Sequence, residues 1–298
     1  MPRSVAILSD KSSGSSFLQR ALARHPDVRL LPHTPHQENE TLFWSKATAA
    51  LGLPQVAMMD SRVVPMSLDA GVRGLHELAA DHLGAIPSGP LGEAWVLDLW
   101  DALATAYGPV LVEKSPHHLH APATLSLMRR YRESRGAESL QLVGLVRNPM
   151  ATLYSMWTRW AVVPERRQHE WVRAYENLLR LDRELDGGLV IVRYEDLVAD
   201  PVGGVLSDVL TRVGLDPEAL APPQEAARLD SVMRWQSDPR FGFRPSPAVL
   251  ALGNRLGYSA ADLAPHGAGR GWGLRRRSRV ALRSARRLVS PVVHGVRR

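Results

Sequence analysis

Five short apolar runs recur along the chain, Val5–Leu8, Val28–Leu31, Val110–Val112, Leu140–Val146 and Leu189–Val192. They are almost unbroken rather than alternating, the mark of strands buried on both faces. Amphipathic spacing predicts helices over Leu68–Leu83, Glu93–Tyr107, Pro122–Arg132, Glu165–Leu185 and Val202–Val213, with a helical piece at Leu42–Leu51. Strand and helix in alternation predict an α/β fold, a central parallel sheet of about five strands flanked by helices. Four runs end in polar clusters: Lys11–Ser16, Glu113–His118, Arg147–Ser155 and Arg193–Asp196. Ligands of open parallel sheets bind beyond the carboxyl ends of the strands, so these clusters are the candidate site.

A chain of 298 residues suffices for one large α/β domain, expected over residues 1–269. Cysteine is absent, which excludes disulfides, thiolate metal sites and cysteine nucleophiles. The first strand is expected close to Met1, so no signal peptide is expected. No stretch approaches the roughly 18 apolar residues of a membrane span, so a cytoplasmic location is expected. The net charge of +7 is unevenly spread: residues 270–298 hold ten arginines and no acid, which leaves −3 for the rest. A mildly acidic body argues against a nucleic-acid partner. The basic tail carries Val280, Leu282, Leu288 and Val289 among its arginines, which suits an anionic membrane surface or an acidic partner, and equally suits disorder. Lysine occurs only at Lys11, Lys46 and Lys114, against 34 arginines.

After the first run, Lys11-Ser12-Ser13-Gly14-Ser15-Ser16 leads into a helical pattern opened by Phe17 and Leu18, with Ser15 or Ser16 placed to cap it. Helix-terminal N–H groups, the positive end of the helix dipole and several hydroxyls would converge there on an anion such as phosphate. The nucleotide triphosphatase signature cannot be laid over this loop. Arg147-Asn148-Pro149 opens another helix, with Ser155 about two turns along it. A guanidinium fork and a hydroxyl suit a terminal phosphate; the alternative is that Arg147 pairs with a neighbouring carboxylate and Ser155 is a solvated helix residue. Glu113-Lys114-Ser115-Pro116 sets an acid and an amine at a strand end, either as a general base with a charge stabiliser or as a structural ion pair. His117, His118 and His120 lack the spacing of a metal site, and no metal is expected. Arg234, Trp235 and Phe241-Gly242-Phe243 form a late aromatic cluster, a loop closing over a ligand or one packed by its own rings.

Taken together these segments resemble the sulfotransferase family. Lys11 to Leu18 is similar to the loop by which sulfotransferases bind the 5′-phosphosulfate of 3′-phosphoadenosine 5′-phosphosulfate (PAPS). Arg147-x-Pro149 with Ser155 eight residues on looks like their 3′-phosphate motif. Glu113-Lys114-Ser115-Pro116 resembles a segment of Golgi-type carbohydrate sulfotransferases and many bacterial relatives. Arg193-Tyr194-Glu195-Asp196-Leu197 matches a segment in which the tyrosine lies near adenine, and Leu256-Gly257-Tyr258 is similar to the end of bacterial members. The resemblance runs from about residue 4 to 260, thinly over 32 to 108. It departs from the family in Lys11, which stands one residue further from Ser-Gly than usual, so Lys11 or Lys114 would meet the bridging oxygen.

The resemblance implies a P-loop-NTPase-like fold and transfer of a sulfuryl group from PAPS to a hydroxyl of a small-molecule, glycan or lipid acceptor, without a metal. Lys11, Ser12, Ser13, Gly14, Ser15, Ser16, Phe17, Arg147, Ser155 and Tyr194 would bind the donor. Glu113 would be the base, His118 the second candidate, with Lys11 or Lys114 offsetting charge on the departing phosphate. The rival readings are a P-loop-type kinase, distinguished by magnesium dependence, and a non-catalytic nucleotide-binding adaptor.

Overall fold

The computed structural model describes residues 2–34, 39–200, 203–223, 230–265, 269, 271–276, 278 and 281, so most of the basic tail lies outside the described residues. They divide into two compact units, Met1–Arg147 with Arg173–Ala227, and Asn148–Val172 with Arg228–Arg298.

The first unit holds the sheet. Strands β1 (Arg3–Ser9), β2 (Val28–Arg29), β3 (Val110–Lys114), β4 (Leu140–Val146) and β5 (Val190–Arg193) lie in the order β2-β3-β1-β4-β5. All neighbours are parallel. The unbroken apolar runs are the reason: from Ser4 to Ser9 every residue of β1 is buried. As the central strand, β1 puts its carboxyl end beside those of β3 and β4, with Ile7 in register with Lys114 and Ser9 with Leu145. Chain order reverses about β1, and ligand crevices of doubly wound sheets form at such a point.

Helices α1 (Ser15–Leu22), α2 (Phe43–Ala50), α3 (Leu68–Leu83), α4 (Glu93–Ala106) and α5 (Pro122–Arg135) surround this sheet. The second unit contributes α6 (Pro149–Trp160) and the start of α7 (Pro164–Glu184), which continues into the first unit from Arg173. The first unit closes with α8 (Tyr194–Ala199) and α9 (Gly204–Arg212), the second with α10 (Asp230–Ser237), α11 (Pro247–Arg255) and α12 (Ala260–Leu263).

Aromatic residues fill the core beside α2. Phe43 and Trp44 meet Trp100 of α4 at centroid distances of 4.7 and 5.1 Å, and Trp44 meets Tyr131 of α5 at 5.5 Å. The late aromatic cluster is a core of the second unit: Trp235, Phe241 and Phe243 are buried with Met150, Leu153 and Trp157. No helix among the described residues is long and apolar enough to cross a membrane.

Two local expectations are corrected. Strand β3 runs on through Glu113 and Lys114, which are buried with a hydroxyl donor and a carboxylate as their respective partners, whereas charge in a sequence reads as the end of a strand. The N-cap of α1 is Gly14, with no side-chain capping bond, so Ser15 and Ser16 lie inside the first turn rather than capping it.

Glycines set the spacing of α2 and α3. A Cβ on Gly71 would fall 2.6 Å from the Ala50 nitrogen, and one on Gly74 would fall 3.0 Å from Lys46 Cε. The Lys46 side chain is therefore enclosed, and burial lowers its pKa to about 8 despite Glu77, Glu113 and Asp81. Between pH 8 and the ordinary value near 10.5, the unfolded chain holds the proton that the folded one has released. Stability contributed by this site therefore rises across that window. Lys46→Met is expected to abolish the rise and to add up to about 3 kcal/mol at pH 7. Denaturant unfolding of both proteins at pH 7, 9 and 10 measures it.

Candidate active site

The loop after β1 is held from three sides. Asp10, fully buried, accepts from the Lys11 N–H at 2.7 Å and from His120 Nε2 at 2.8 Å, both on Oδ1. Tyr175 of α7 donates its hydroxyl to the Leu145 carbonyl at 3.1 Å. Its lone pairs then accept from Ser13 Oγ at 2.8 Å and the Asp10 N–H at 3.5 Å. Burial, with the Asp10 charge nearby, pushes the Tyr175 phenol up, so it stays a neutral donor. Arg147, at the end of β4, donates from Nη1 to the Ser12 carbonyl at 2.9 Å.

Positive φ at Ser12 (64°) and Gly14 (88°) turns the chain into α1, whose N-terminal N–H groups face the sheet edge. At Gly14 the glycine is required twice over, because a Cβ there would lie 2.2 Å from the Tyr194 ring. That ring also meets Phe17 edge-on, centroids 5.9 Å apart, and carries the Arg147 guanidinium 4.8 Å from its centroid. Gly14, Phe17, Arg147 and Tyr194 thus form one packed corner, with Arg147 only 8% exposed. Arg193 is engaged by Asp196 at 2.8 and 2.9 Å.

The end of β3 holds a second buried carboxylate. Glu113 Oε1 accepts from Ser115 Oγ at 2.5 Å, Thr41 Oγ1 at 2.9 Å and His118 Nε2 at 3.2 Å, while Oε2 is buried without a hydrogen-bond partner. Burial alone would raise this carboxyl; His118, Ser115 and Thr41 outweigh it and hold the group below the usual carboxylate range. His118 Nδ1 lies 3.0 Å from Ser45 Oγ on α2. Ser115 Oγ and Thr41 Oγ1 in turn accept from the Leu42 and Phe43 N–H groups, so Glu113 also fixes the start of α2. The neighbouring histidines face elsewhere: His117 Nε2 meets Ser61 Oγ at 3.1 Å and His120 meets Asp10. Among the described residues no group of three His, Asp or Glu side chains could hold a metal ion.

Both lysines are in ion pairs, Lys11 with Asp60 at 3.1 Å and Lys114 with Glu40 at 3.2 Å. Ser155 stands half-buried on α6, in the second unit, where Asn148 caps the helix by accepting from the Met150 N–H at 2.8 Å. In the first unit the residues expected from sequence, Lys11 to Phe17, Glu113, Lys114, His118, Arg147 and Tyr194, are thus drawn to one sheet edge.

A model of the sulfotransferase family matches residues 4–218. The chain belongs to that family. No curated protein matches it. Among solved structures, the sulfotransferase domain from the curacin biosynthetic pathway is 20% identical with a TM-score of 0.58, over 87% of this chain and 99% of that one. The sulfotransferase domain of the Synechococcus PCC 7002 olefin synthase is 21% identical with a TM-score of 0.59, over 87% and 95%. A sulfotransferase from Alicyclobacillus acidocaldarius is 16% identical with a TM-score of 0.50, over 88% and 98%. At such identities the structural likeness shows the fold, and the family assignment stands on the matched model.

Sequence reasoning missed Asp10, Glu40, Thr41, Ser45, Asp60 and Tyr175. Asp10 alone left a trace, as a charge closing an apolar strand. Tyr175 reads as one more core residue of an amphipathic helix, and the others fall in the irregular stretch between β2 and α3 or on α2. Gly14→Ala is expected to lose about 1–3 kcal/mol from the left-handed backbone alone, and more from overlap with Tyr194. Urea unfolding measures the loss, and a variant as stable as wild type contradicts the packing described for this corner.

Proposed function

We propose that the chain transfers a sulfuryl group from PAPS to the hydroxyl of a small-molecule, glycan or lipid acceptor. The observation that carries this reading is the convergence, at the ends of β1 and β3, of a helix N-terminus, two lysines and a histidine–carboxylate pair. Helix N-termini and ammonium groups suit a phosphosulfate, and the pair suits removal of a proton.

In this reading Ser12 to Ser16 hold the 5′-phosphosulfate through backbone N–H groups and hydroxyls, and Arg147 serves the 3′-phosphate, as the sequence motif with Ser155 suggests. The Arg147 fork is already oriented by Tyr194 and the Ser12 carbonyl. Glu113 and His118 act together: the acceptor's proton goes to the pair as its oxygen forms the new bond to sulfur. The bond between sulfur and the bridging oxygen breaks, and adenosine 3′,5′-bisphosphate leaves. Lys11 or Lys114 offsets the charge growing on that oxygen. Positioning and electrostatics supply most of the rate, as in phosphoryl transfer.

Two substitutions separate binding from chemistry. Glu113→Gln is expected to lower turnover about 10²–10⁴-fold, the usual contribution of a general base, while adenosine 3′,5′-bisphosphate still binds. Arg147→Ala is expected to weaken that binding by about 10–100-fold, as loss of charged hydrogen bonds to a phosphate implies. Radiolabelled-sulfate transfer across a panel of hydroxyl acceptors, with calorimetry of the bisphosphate, gives both numbers. Binding without transfer to any acceptor would favour the adaptor reading instead.

A further inference from the structure

The two ion pairs at the sheet edge share a pattern. Asp60 lies between α2 and α3, Glu40 just before α2, and each reaches across to a lysine that follows or ends a strand. Lys11 Nζ lies 3.1 Å from Asp60 Oδ2 and 3.4 Å from the Asp60 carbonyl. The Asp60 side chain is 3% exposed, and neither carboxylate oxygen has a hydrogen-bond partner, so the Lys11 ammonium is its main compensation. Glu40 interacts electrostatically with Lys114, Glu113 and Lys11, so it shares one charged neighbourhood with both lysines, and Asp60 joins it through Lys11. Burial raises the Glu40 pKa, and Lys114 and Lys11 offset that only in part.

Such pairs are a poor source of stability, because desolvation of the two ions consumes most of their attraction. Their chemistry instead matches the task assigned to the same lysines. A phosphosulfate or phosphate at the loop would draw on these same ammonium groups, and Lys is the cation whose flexible stem allows it to change partners. A carboxylate in contact with an ammonium cancels most of the field that it would offer to another anion.

We propose that Asp60 and Glu40 compete with the nucleotide's 5′-terminal oxygens for Lys11 and Lys114, and so set how tightly donor and product are held. The proposal rests on the PAPS reading above. Its chemical content is an exchange of anions: a carboxylate leaves the ammonium as phosphate or phosphosulfate oxygens arrive, and the reverse exchange assists release of the bisphosphate. Ser61, bonded to His117, ties the Asp60 segment to the end of β3, so the exchange needs only side-chain movement about a fixed backbone.

The test is calorimetry with adenosine 3′,5′-bisphosphate and adenosine 3′-monophosphate on wild type, Asp60→Asn, Glu40→Gln and Asp60→Glu. Asp60→Asn and Glu40→Gln are each expected to bind the bisphosphate about tenfold more tightly, the effect of removing one like charge near the site. The monophosphate, which lacks the 5′ group, should show no gain, and Asp60→Glu, which keeps the charge, should match wild type. Wild type that binds the bisphosphate, with no gain or a loss in both neutral variants, overturns this proposal and leaves the PAPS reading standing. An equal gain for the two nucleotides also overturns it, since the effect would not be local to the 5′ end. Wild type that fails to bind the bisphosphate overturns both readings.

Discussion

A carboxylate removed from water must be supplied with donors, and two such groups, Asp10 and Glu113, organise the carboxyl-end edge of this sheet. Both are fully buried. Desolvating an ion costs several kcal/mol even after relaxation, whereas one hydrogen bond to a charged group contributes about 1.5–3 kcal/mol. Two or three donors per carboxylate are therefore needed to break even. Glu113 has three on one oxygen, and Asp10 has two on one oxygen. Because these donors come from separate segments, satisfying the charge also fixes the segments. Thr41 and Ser115 bring the start of α2 to β3, and His120 brings the chain before α5 to β1.

The same requirement links fold to chemistry. Asp10, Tyr175 and Arg147 hold the loop in its positive-φ turn, and that turn orients its N–H groups. Preoriented dipoles stabilise developing charge without a reorganisation penalty at the moment of reaction. Gly14 shows how little slack the arrangement has: the Tyr194 ring occupies the volume that any Cβ would take. The ring that closes this corner also steers Arg147, so one aromatic residue serves both the loop and the guanidinium.

The sheet was legible because burial on both faces leaves a local signature, unbroken apolar runs. The ends of its strands were less so. Glu113 and Lys114 continue β3 while buried because Thr41 and Ser115 donate to the one and Glu40 pairs with the other, and residues 40 and 41 are more than 70 positions away. Likewise the pairing of Lys11 with Asp60 and of Ser13 with Tyr175 spans 49 and 162 positions, beyond any periodicity. The motifs named which residues gather at the edge. They did not show that the two base candidates, Glu113 and His118, are bonded to each other, since their spacing of five fits neither a strand nor a helix face. Gly14 rather than serine caps α1 because the cap must adopt φ of 88° under a tyrosine ring, a tertiary demand absent from local sequence.

The choice between lysine and arginine follows the same division. Arginine outnumbers lysine 34 to 3, and Arg147 is held by stacking and a directed bond in one orientation, which suits a planar fork. All three lysines lie in the first unit, each enclosed or opposed by an acid. Lys46 can shed its proton near pH 8, which a guanidinium cannot do in a protein. Lys11 and Lys114 end in compact charges on flexible stems and depend on no single donor geometry. Where the guanidinium is held in one orientation, at Arg147, the residue is an arginine; at Lys46 it is the cation that can lose its charge, and at Lys11 and Lys114 the one on a flexible stem.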